Sequence, residues 1–129
     1  DITGRWKMKQ KKTVEDYLKA IYTISKRKKV HGADIADQLK VSRPTVSVAL
    51  RALSEEGYLF LDDKMREVHL TDRGKEIAGE IYERHDTVRK LLTGFGVDEE
   101  TASADACEIE HLISAESYEA FKALIRNKK

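Results

Sequence analysis

Apolar residues recur three and four positions apart along most of the chain, which is the spacing of helices with one buried face. The first such stripe consists of Val14, Tyr17, Leu18, Ile21 and Tyr22. In "TVED", Thr13 stands where an N-cap hydroxyl belongs and Asp16 follows three residues later, as in a capping box. We therefore predict a helix that begins at Thr13. Residues 1–12 show no such period and are predicted to form a flexible basic arm, with Met8 a candidate for the natural first residue.

Two further stripes follow, with a tight turn between them. "GADIADQLK" predicts a short helix and "VSRPTVSVALRALSEEG" predicts a longer one. Ser42 is placed to cap the second helix, Pro44 is tolerated in its first turn, and Gly57 suits the position just after its end. Its predicted buried stripe is Val46, Ala49, Leu50 and Leu53. Two helices joined by a turn of about three residues indicate a helix-turn-helix.

The pattern then changes from helical spacing to two short apolar runs. In "YLFLDDKMREVHLT" these runs flank the polar "DDKM", which predicts a β-hairpin with a four-residue connection. A hairpin directly after a helix-turn-helix is the element order of a winged helix. Three more helices are predicted, from Thr71 to about Leu92, from near Asp98 to near Ile113, and after a cap at Ser114. Gly74 and Gly79 are expected to weaken the first of these.

Charge divides the chain into two parts, although the net charge is only +1. Residues 1–75 carry 17 Lys or Arg against 11 Asp or Glu, and residues 76–129 carry 7 against 12. A basic front part suits a polyanion and an acidic back part suits cations. No apolar run approaches the roughly 18 residues of a membrane span. With a single cysteine and no secretory leader, we expect a cytoplasmic protein.

The predicted second helix of the helix-turn-helix presents a surface suited to DNA on the side opposite its buried stripe. Short hydroxyls, small apolar groups and cations share this surface, and the helix N-terminus favours a phosphate. The candidate DNA-binding residues here are Ser42, Arg43, Pro44, Thr45, Ser47, Val48 and Arg51. Lys64 and Arg66 at the hairpin tip are candidates for phosphate contacts. The alternative is a pair of amphipathic helices that only pack together, with Arg51 a solvated charge.

A possible metal site lies in "ACEIEH", residues 106–111. On a helix, Cys107, Glu110 and His111 share one face, so a thiol, a carboxylate and an imidazole can converge. His85 on the preceding helix and Asp16 on the first helix are candidates to complete the ligand set. Each residue also has a structural alternative. Cys107 suits a core position, His85 lies on an apolar face, and Asp16 is the predicted capping-box carboxylate.

At this point the sequence resembles the family of the diphtheria toxin repressor and the manganese transport regulator over about residues 13–125. "VEDYLKAIY" is similar to the family's opening helix and "IADQLKVSRPTVSVALRALSEEGYL" to its helix-turn-helix. "LTDRGKEIA", "ERHDTVRKLL" and "GVDEETASADACEIEH" are similar to its wing-to-helix junction, linker helix and metal helix. The resemblance implies a mainly α protein, with a winged helix-turn-helix DNA-binding domain at 13–73 and a helical metal-binding and dimerisation domain at 74–129.

The resemblance also implies a homodimer that represses transcription by binding a palindromic operator in double-stranded DNA when a divalent metal is present. It implies no membrane partner, no small organic substrate and no enzymatic activity. Asp16 falls where the manganese branch has an aspartate ligand, and Cys107 falls where the iron branch has a cysteine. Glu110, His111 and His85 fall on ligand positions of both branches, so the implied site mixes the two.

Three departures from the family pattern bear on the number of ions. Lys19 replaces a glutamate that helps the manganese branch to hold a second ion, and Arg89 and Ser103 replace ligands of an ancillary site in the iron branch. We therefore expect one ion per subunit. Thiolate with imidazole favours Fe²⁺, Co²⁺, Ni²⁺ or Zn²⁺ over Mn²⁺, but availability in the cell also matters, so Fe²⁺ or Mn²⁺ is expected, with Zn²⁺ a competitor.

Two other functions remain open at this stage. The first is a winged-helix repressor that senses oxidation through Cys107 without a metal, although the neighbouring carboxylates disfavour the thiolate that such chemistry requires. The second is a metal-dependent hydrolase with Glu110 as base, which would need an open substrate pocket that the compact helical pattern does not offer.

Overall fold

A computed structural model describes residues 2–127 except 63 and 65, with only the backbone described for residues 2–10 and 127. The described residues form six helices and two strands, and the chain divides into two compact units, Asp1–Gly79 and Glu80–Lys129. In chain order the elements are α1 (Ile2–Ser25), α2 (Gly32–Leu39), α3 (Arg43–Glu55), β1 (Leu59–Leu61), β2 (Val68–Leu70), α4 (Asp72–Gly94), α5 (Glu99–Ile109) and α6 (Ala115–Asn127). The expected mainly α fold with one hairpin is confirmed.

Helix α1 is longer than predicted, because it begins at Ile2 and not at Thr13. The prediction of an irregular arm over residues 1–12 is therefore wrong for the backbone from residue 2 onward. Arg, Lys, Met and Gln are strong helix formers, so this segment extends the helix without an apolar period of its own. Thr13 lies inside α1, and "TVED" does not form the predicted capping box at a helix start.

The helix-turn-helix is confirmed in both its helices and its turn. Helix α2 ends at Leu39, Lys40 adopts a left-handed conformation (φ 57°), and the Ser42 hydroxyl accepts a hydrogen bond from the Thr45 amide at 3.2 Å. In the first turn of α2, the carboxylate of Asp34 accepts hydrogen bonds from Lys28 and from the His31 amide. These bonds, with that of Lys28 the larger cause, lower the pKa of Asp34 and keep a negative charge in the first turn of α2.

The hairpin pairs β1 and β2 in antiparallel register, with Leu59 opposite Leu70 and Leu61 opposite Val68. Its connection is residues 62–67, which is longer than the predicted four residues. Arg66 has a positive φ of 54° and interrupts the strand geometry, while the Asp62 amide donates to the Glu67 carbonyl across the base of the loop. Asp62 also accepts a hydrogen bond from the Lys64 amide, which shapes the tip.

A single apolar cluster holds the first unit together. It contains α1, α2, α3 and both strands, with Leu18, Ile21, Ile35, Val46 and Leu59 almost fully buried. In the predicted α3 stripe, Val46, Leu50 and Leu53 are buried and Ala49 is partly buried. Gly57 has φ 84° and follows α3 as predicted.

Gly74, in the first turn of α4, allows a close backbone approach. A Cβ atom added there would overlap the Tyr58 carbonyl oxygen, whereas one added at Gly79 would meet nothing within 4 Å. The first turn is also capped, because the Gly74 amide donates to the Thr71 hydroxyl at 3.2 Å. The expectation that both glycines weaken the helix therefore overlooked the requirement for a glycine at position 74.

The second unit consists of the rest of α4 with α5 and α6. Helix α4 continues to Gly94, past the predicted end at Leu92, and α5 ends at Ile109, before the predicted end at Ile113. Asp98 caps α5 by accepting from the amides of Glu100 and Thr101, and Ser114 caps α6 as predicted. None of the helices in the described part of the chain has the length and apolar character needed to cross a membrane.

Candidate metal centre and nucleic-acid interface

The exposed side of α3 carries the predicted DNA-binding residues of the helix-turn-helix. Because the buried stripe fixes one face of α3 against the core, the opposite face is left to solvent. All seven predicted residues are exposed, namely Ser42, Arg43, Pro44, Thr45, Ser47, Val48 and Arg51. Ser42 has a second role as the N-cap, with its hydroxyl 2.8 Å from that of Thr45. The surface combines a helix N-terminus, two cations and small side chains, which is the chemistry that a major groove accepts.

The hairpin adds the two predicted cations, since Lys64 and Arg66 are both exposed in its connection. A second basic segment, which was not predicted from the sequence, lies at residues 26–29 between α1 and α2. Its four side chains are all exposed cations. Lys28 pairs with Asp34 at 2.8 Å and Lys29 pairs with Glu67 at 3.6 Å. The run of four cations beside the helix-turn-helix was the signal that could have added this segment to the candidate interface.

In the second unit, His85 contacts two candidate ligands at the end of α5, Cys107 and Glu110. Its Nδ1 atom lies 2.9 Å from Oε2 of Glu110 and 3.8 Å from Sγ of Cys107. Because a carboxylate oxygen accepts, the short contact is a hydrogen bond in which Nδ1 carries the proton. These contacts join residues that are 25 and 22 positions apart in the chain. They bring an imidazole, a carboxylate and a thiol together.

Burial distinguishes the members of this cluster. The Glu110 side chain is completely buried, His111 is 7% exposed, and Cys107 is half-buried. Nε2 of His111 lies 3.4 Å from Oε1 of Glu110, so each carboxylate oxygen faces one imidazole. Buried polar groups are retained in proteins when other groups satisfy them, and here the buried Glu110 carboxylate is hydrogen-bonded by His85.

The expectation of one continuous helical face for Cys107, Glu110 and His111 needs correction. Glu110 is the C-cap of α5 and His111 follows the helix, with its amide directed at the Glu108 carbonyl at 3.4 Å. Helices commonly tighten in this way in their last turn, where carbonyl groups lack partners within the helix. The His111 side chain nevertheless stays close to the Glu110 carboxylate, with Nε2 at 3.4 Å from Oε1.

Asp16 and Lys19 are both half-buried on α1, in the first unit. Asp16 lies inside the helix and not at its start, so it does not have the capping-box role that was the structural alternative to ligation. Its membership in a metal site remains a prediction.

A network of ion pairs lies next to His85 on α4 and involves Arg89, one of the departures from the family pattern. Its guanidinium contacts Asp86 at 2.8 Å and Glu99 at 2.7 Å, while Lys90 contacts Asp86 at 3.0 Å. Burial favours a higher pKa for Asp86, but the hydrogen bonds from Arg89 and Lys90 outweigh it and lower the pKa. The hydrogen bond with Asp86 is the main cause of a raised pKa of Arg89.

Asp86 and Glu99 were not among the residues predicted from the sequence. Asp86 could have been found from its spacing to Arg89 and Lys90 on one helix. Ser103, the other departure in this unit, is half-buried on α5. An arginine held by two carboxylates places a fixed positive charge here, which does not favour a second cation at the same position.

The donor set of the cluster fits a divalent transition metal. Cysteine sulfur with imidazole nitrogen suits borderline ions such as Fe²⁺, Co²⁺, Ni²⁺ and Zn²⁺, and a carboxylate oxygen is compatible with all of them. Hard ions such as Ca²⁺ and Mg²⁺ prefer sites made of oxygen atoms alone, so the cysteine and histidines disfavour them.

Two family models match the chain. "Iron dependent repressor, N-terminal DNA binding domain" matches residues 10–64, and "Iron dependent repressor, metal binding and dimerisation domain" matches residues 71–129. An HTH-type transcriptional regulator of Methanocaldococcus jannaschii is 32% identical over 91% of this chain and 95% of its own. The transcriptional regulator MntR of Salmonella typhimurium is 35% identical over 88% of this chain and 73% of its own.

Solved structures give the same result. The manganese regulator SloR matches with a TM-score of 0.76 and 29% identity, covering 88% of this chain and 53% of its own. A manganese-dependent transcriptional repressor in complex with manganese matches with a TM-score of 0.78 and 28% identity, covering 85% and 51%. The chain thus spans about half the length of these structures.

The expected resemblance to the diphtheria toxin repressor and manganese transport regulator family is confirmed. The family consists of transcriptional regulators that bind DNA and dimerise, and this chain matches both of the domains that do so. The chain belongs to the iron-dependent repressor family and is a metal-responsive transcriptional repressor whose partners are DNA and a second copy of itself.

Proposed function

We propose that the chain represses transcription when one divalent ion binds per subunit, with Asp16, Cys107, Glu110, His111 and His85 as the ligands. The observation that supports this proposal is the contact of His85 with both Glu110 and Cys107 in the metal-binding domain. The physiological ion is Fe²⁺ or Mn²⁺, with Zn²⁺ the competitor that the thiol and imidazoles would also accept. The working domain boundaries are residues 13–73 for DNA binding and 74–129 for metal binding and dimerisation.

A bound divalent ion would supply positive charge, and it would be held by the Cys107 thiolate, the neutral imidazoles of His85 and His111, and the carboxylates of Asp16 and Glu110. Before binding, the hydrogen bond between His85 and Glu110 keeps two of these groups oriented. Ligation through Nδ1 of His85 would require the loss of its proton, and ligation by Cys107 would require a thiolate. Metal affinity should therefore fall as the solution becomes more acidic.

The exposed face of α3 enters the major groove in this proposal, with Arg43 and Arg51 directed at guanine edges or phosphates. Lys64 and Arg66 contact phosphates and position the domain without reading sequence. In a homodimer, two such helices about 34–36 Å apart would fit successive major grooves on one side of a palindromic operator.

Asp16 is the proposed connection between metal binding and DNA binding, because it is the one ligand candidate on a helix of the DNA-binding unit. Ligation by Asp16 together with the second-unit residues would favour those conformations of the chain that have the operator spacing. Asp16→Ala should therefore reduce the metal-dependent gain in operator affinity, and equal gains in variant and wild type would contradict the coupling.

Fluorescence anisotropy with a labelled operator, at fixed salt, tests the proposal. Affinity is measured in chelator and then with Fe²⁺, Mn²⁺ or Zn²⁺ for the wild type, Cys107→Ala and His111→Ala. Glu108→Ala is the matched control, because Glu108 is an exposed carboxylate on the same helix. We expect metal to increase the affinity of the wild type and of the control, and not that of the other two variants.

Two results would contradict the proposal. Equal affinity with chelator and metal would indicate a metal-independent winged helix. Affinity that responds to oxidant and reductant in chelator, and loses this response in Cys107→Ala, would indicate the thiol-based sensor considered as the alternative.

A further inference from the structure

Val48 is the most exposed large hydrophobic residue in the part of the chain whose side chains are described, with 70% of its surface accessible. It lies in the middle of α3, directly beside Ser47 and two positions after the buried Val46. An exposed valine contributes nothing to the core, and its β-branch is less favourable in a helix than alanine. Its presence on this face therefore has no explanation in the folding of the unit.

The neighbours of Val48 on the helix surface identify the kind of partner that it suits. Pro44 and Ala52, four positions away on either side, are exposed and extend an apolar line along α3. Thr45 and Arg51, three positions away, are also exposed and flank that line with a hydroxyl and a cation. A narrow apolar line beside hydroxyls and cations matches a groove lined by phosphates better than it matches a broad hydrophobic protein interface.

Valine can recognise only one feature of a base edge in the major groove. It has no donor or acceptor, so it cannot form a hydrogen bond with any base. The methyl group at C5 of thymine is the apolar group that the major groove displays, and small apolar side chains recognise it by contact. A valine at position 48 is thus suited to select thymine. Opposite any other base it would leave hydrogen-bonding groups without a partner.

We propose that Val48 is a specificity-determining residue that packs against the C5-methyl group of one thymine in each operator half-site. The inference rests on the proposed entry of α3 into the major groove and adds to it the chemical group that is read. Arg43 and Arg51 supply affinity in this arrangement, while Val48 supplies a preference that does not depend on charge.

Removal of the methyl group alone provides the test. Operator sequences are first selected from random DNA with the full chain and metal, and each thymine of the selected site is then replaced by uracil. Burial of one methyl group corresponds to about a fourfold change in affinity, so one uracil per half-site should weaken binding about fourfold at a single position. Replacement in both half-sites should weaken it about fifteenfold, because separated positions are roughly additive.

The same scan with Val48→Ala assigns the effect to the side chain. At the position that Val48 reads, the variant should bind thymine and uracil operators equally, while other positions keep the wild-type profile. Val41→Ala is the matched control, because Val41 is also exposed (37%) but lies in the turn before α3. The control should retain the fourfold preference.

Several results would overturn the inference. A selected, metal-dependent operator with no uracil-sensitive position contradicts the role of Val48 and leaves the proposed function intact. A uracil effect that Val48→Ala does not change assigns the methyl contact to another residue. A change in oligomeric state of Val48→Ala in gel filtration would indicate a protein partner at this surface instead. Failure to select any sequence would contradict the proposed function together with this inference.

Discussion

The candidate DNA-binding face of α3 and the candidate metal cluster of the second unit (His85, Cys107, Glu110 and His111) place their side chains in opposite environments. On α3 the candidate residues are exposed and the core residues occupy the other side of the helix. In the candidate metal cluster Glu110 is completely buried and His111 nearly so, and the candidate ligand His85 is also the hydrogen-bond partner of Glu110. We therefore expect substitutions on the exposed face of α3 to change DNA binding with little effect on stability. Substitutions in the cluster are expected to change both metal binding and stability.

The largest effect is expected for Glu110→Ala. It removes the carboxylate that His85 contacts at 2.9 Å and leaves a buried space, so the free energy of unfolding in chelator should fall by about 3 kcal/mol. Metal affinity should fall on the order of a hundredfold as well. Urea unfolding and titration with Co²⁺ measure the two effects.

Glu110→Gln sharpens this result, because its amide oxygen can still accept from His85 while the negative charge is lost. It should recover part of the stability but not the metal affinity. If both Glu110 variants unfold like the wild type in chelator, the cluster is not a stabilising element and the contrast with α3 fails.

A smaller loss of stability is expected for Gly74→Ala. Gly74 is neither a candidate DNA-binding residue nor a candidate ligand. The added Cβ overlaps the Tyr58 carbonyl, so backbone atoms must move and the free energy of unfolding should fall by about 2 kcal/mol. Gly79→Ala is the matched control in the same helix and should increase stability by about 0.5–1 kcal/mol, because its Cβ meets nothing. Thermal or urea unfolding compares the pair, and equal changes in both variants would contradict the close approach at Gly74.

The smallest effect on folding is expected for Arg51→Ala. Operator affinity should fall about tenfold, and the slope of log affinity against log salt concentration should become smaller by about one. The free energy of unfolding should stay within about 0.5 kcal/mol of the wild type. Arg126→Ala, an exposed cation in α6, controls for the change in net charge. A marked loss of stability in Arg51→Ala would show that function and folding are not separable on α3.

Most of the fold could be predicted from the sequence, because amphipathic spacing and caps are local signals. Ser42, Ser114 and Gly57 each stand at the helix boundary that their chemistry predicts. The errors occur where the local signal is weak. Helix α1 extends to Ile2 through residues with high helix propensity and no apolar period, and the left-handed Arg66 lengthens the hairpin connection.

The candidate site was predicted only in part, because its contacts join distant segments. The spacing of Cys107 and Glu110 indicated one helix face, but the hydrogen bond from His85 spans 25 residues and has no local signature. The same holds for the contact between Arg89 and Glu99 across two helices. The complete burial of Glu110 also could not be predicted, because the polar residues around it in "ACEIEH" are of types that usually lie at the surface.

The half-buried position of Cys107 has a consequence for how this scaffold can evolve. A substitution at Glu110 alters a fully buried side chain and the partner of His85, so most such changes harm the folded protein before selection can act on metal preference. At Cys107 the side chain reaches the same cluster from a partly accessible site, where aspartate or glutamate can replace sulfur by oxygen without creating a cavity. With Cys107 as the proposed ligand, one substitution at this tolerant position would change the ion preference of a lineage while the buried carboxylate stays the same.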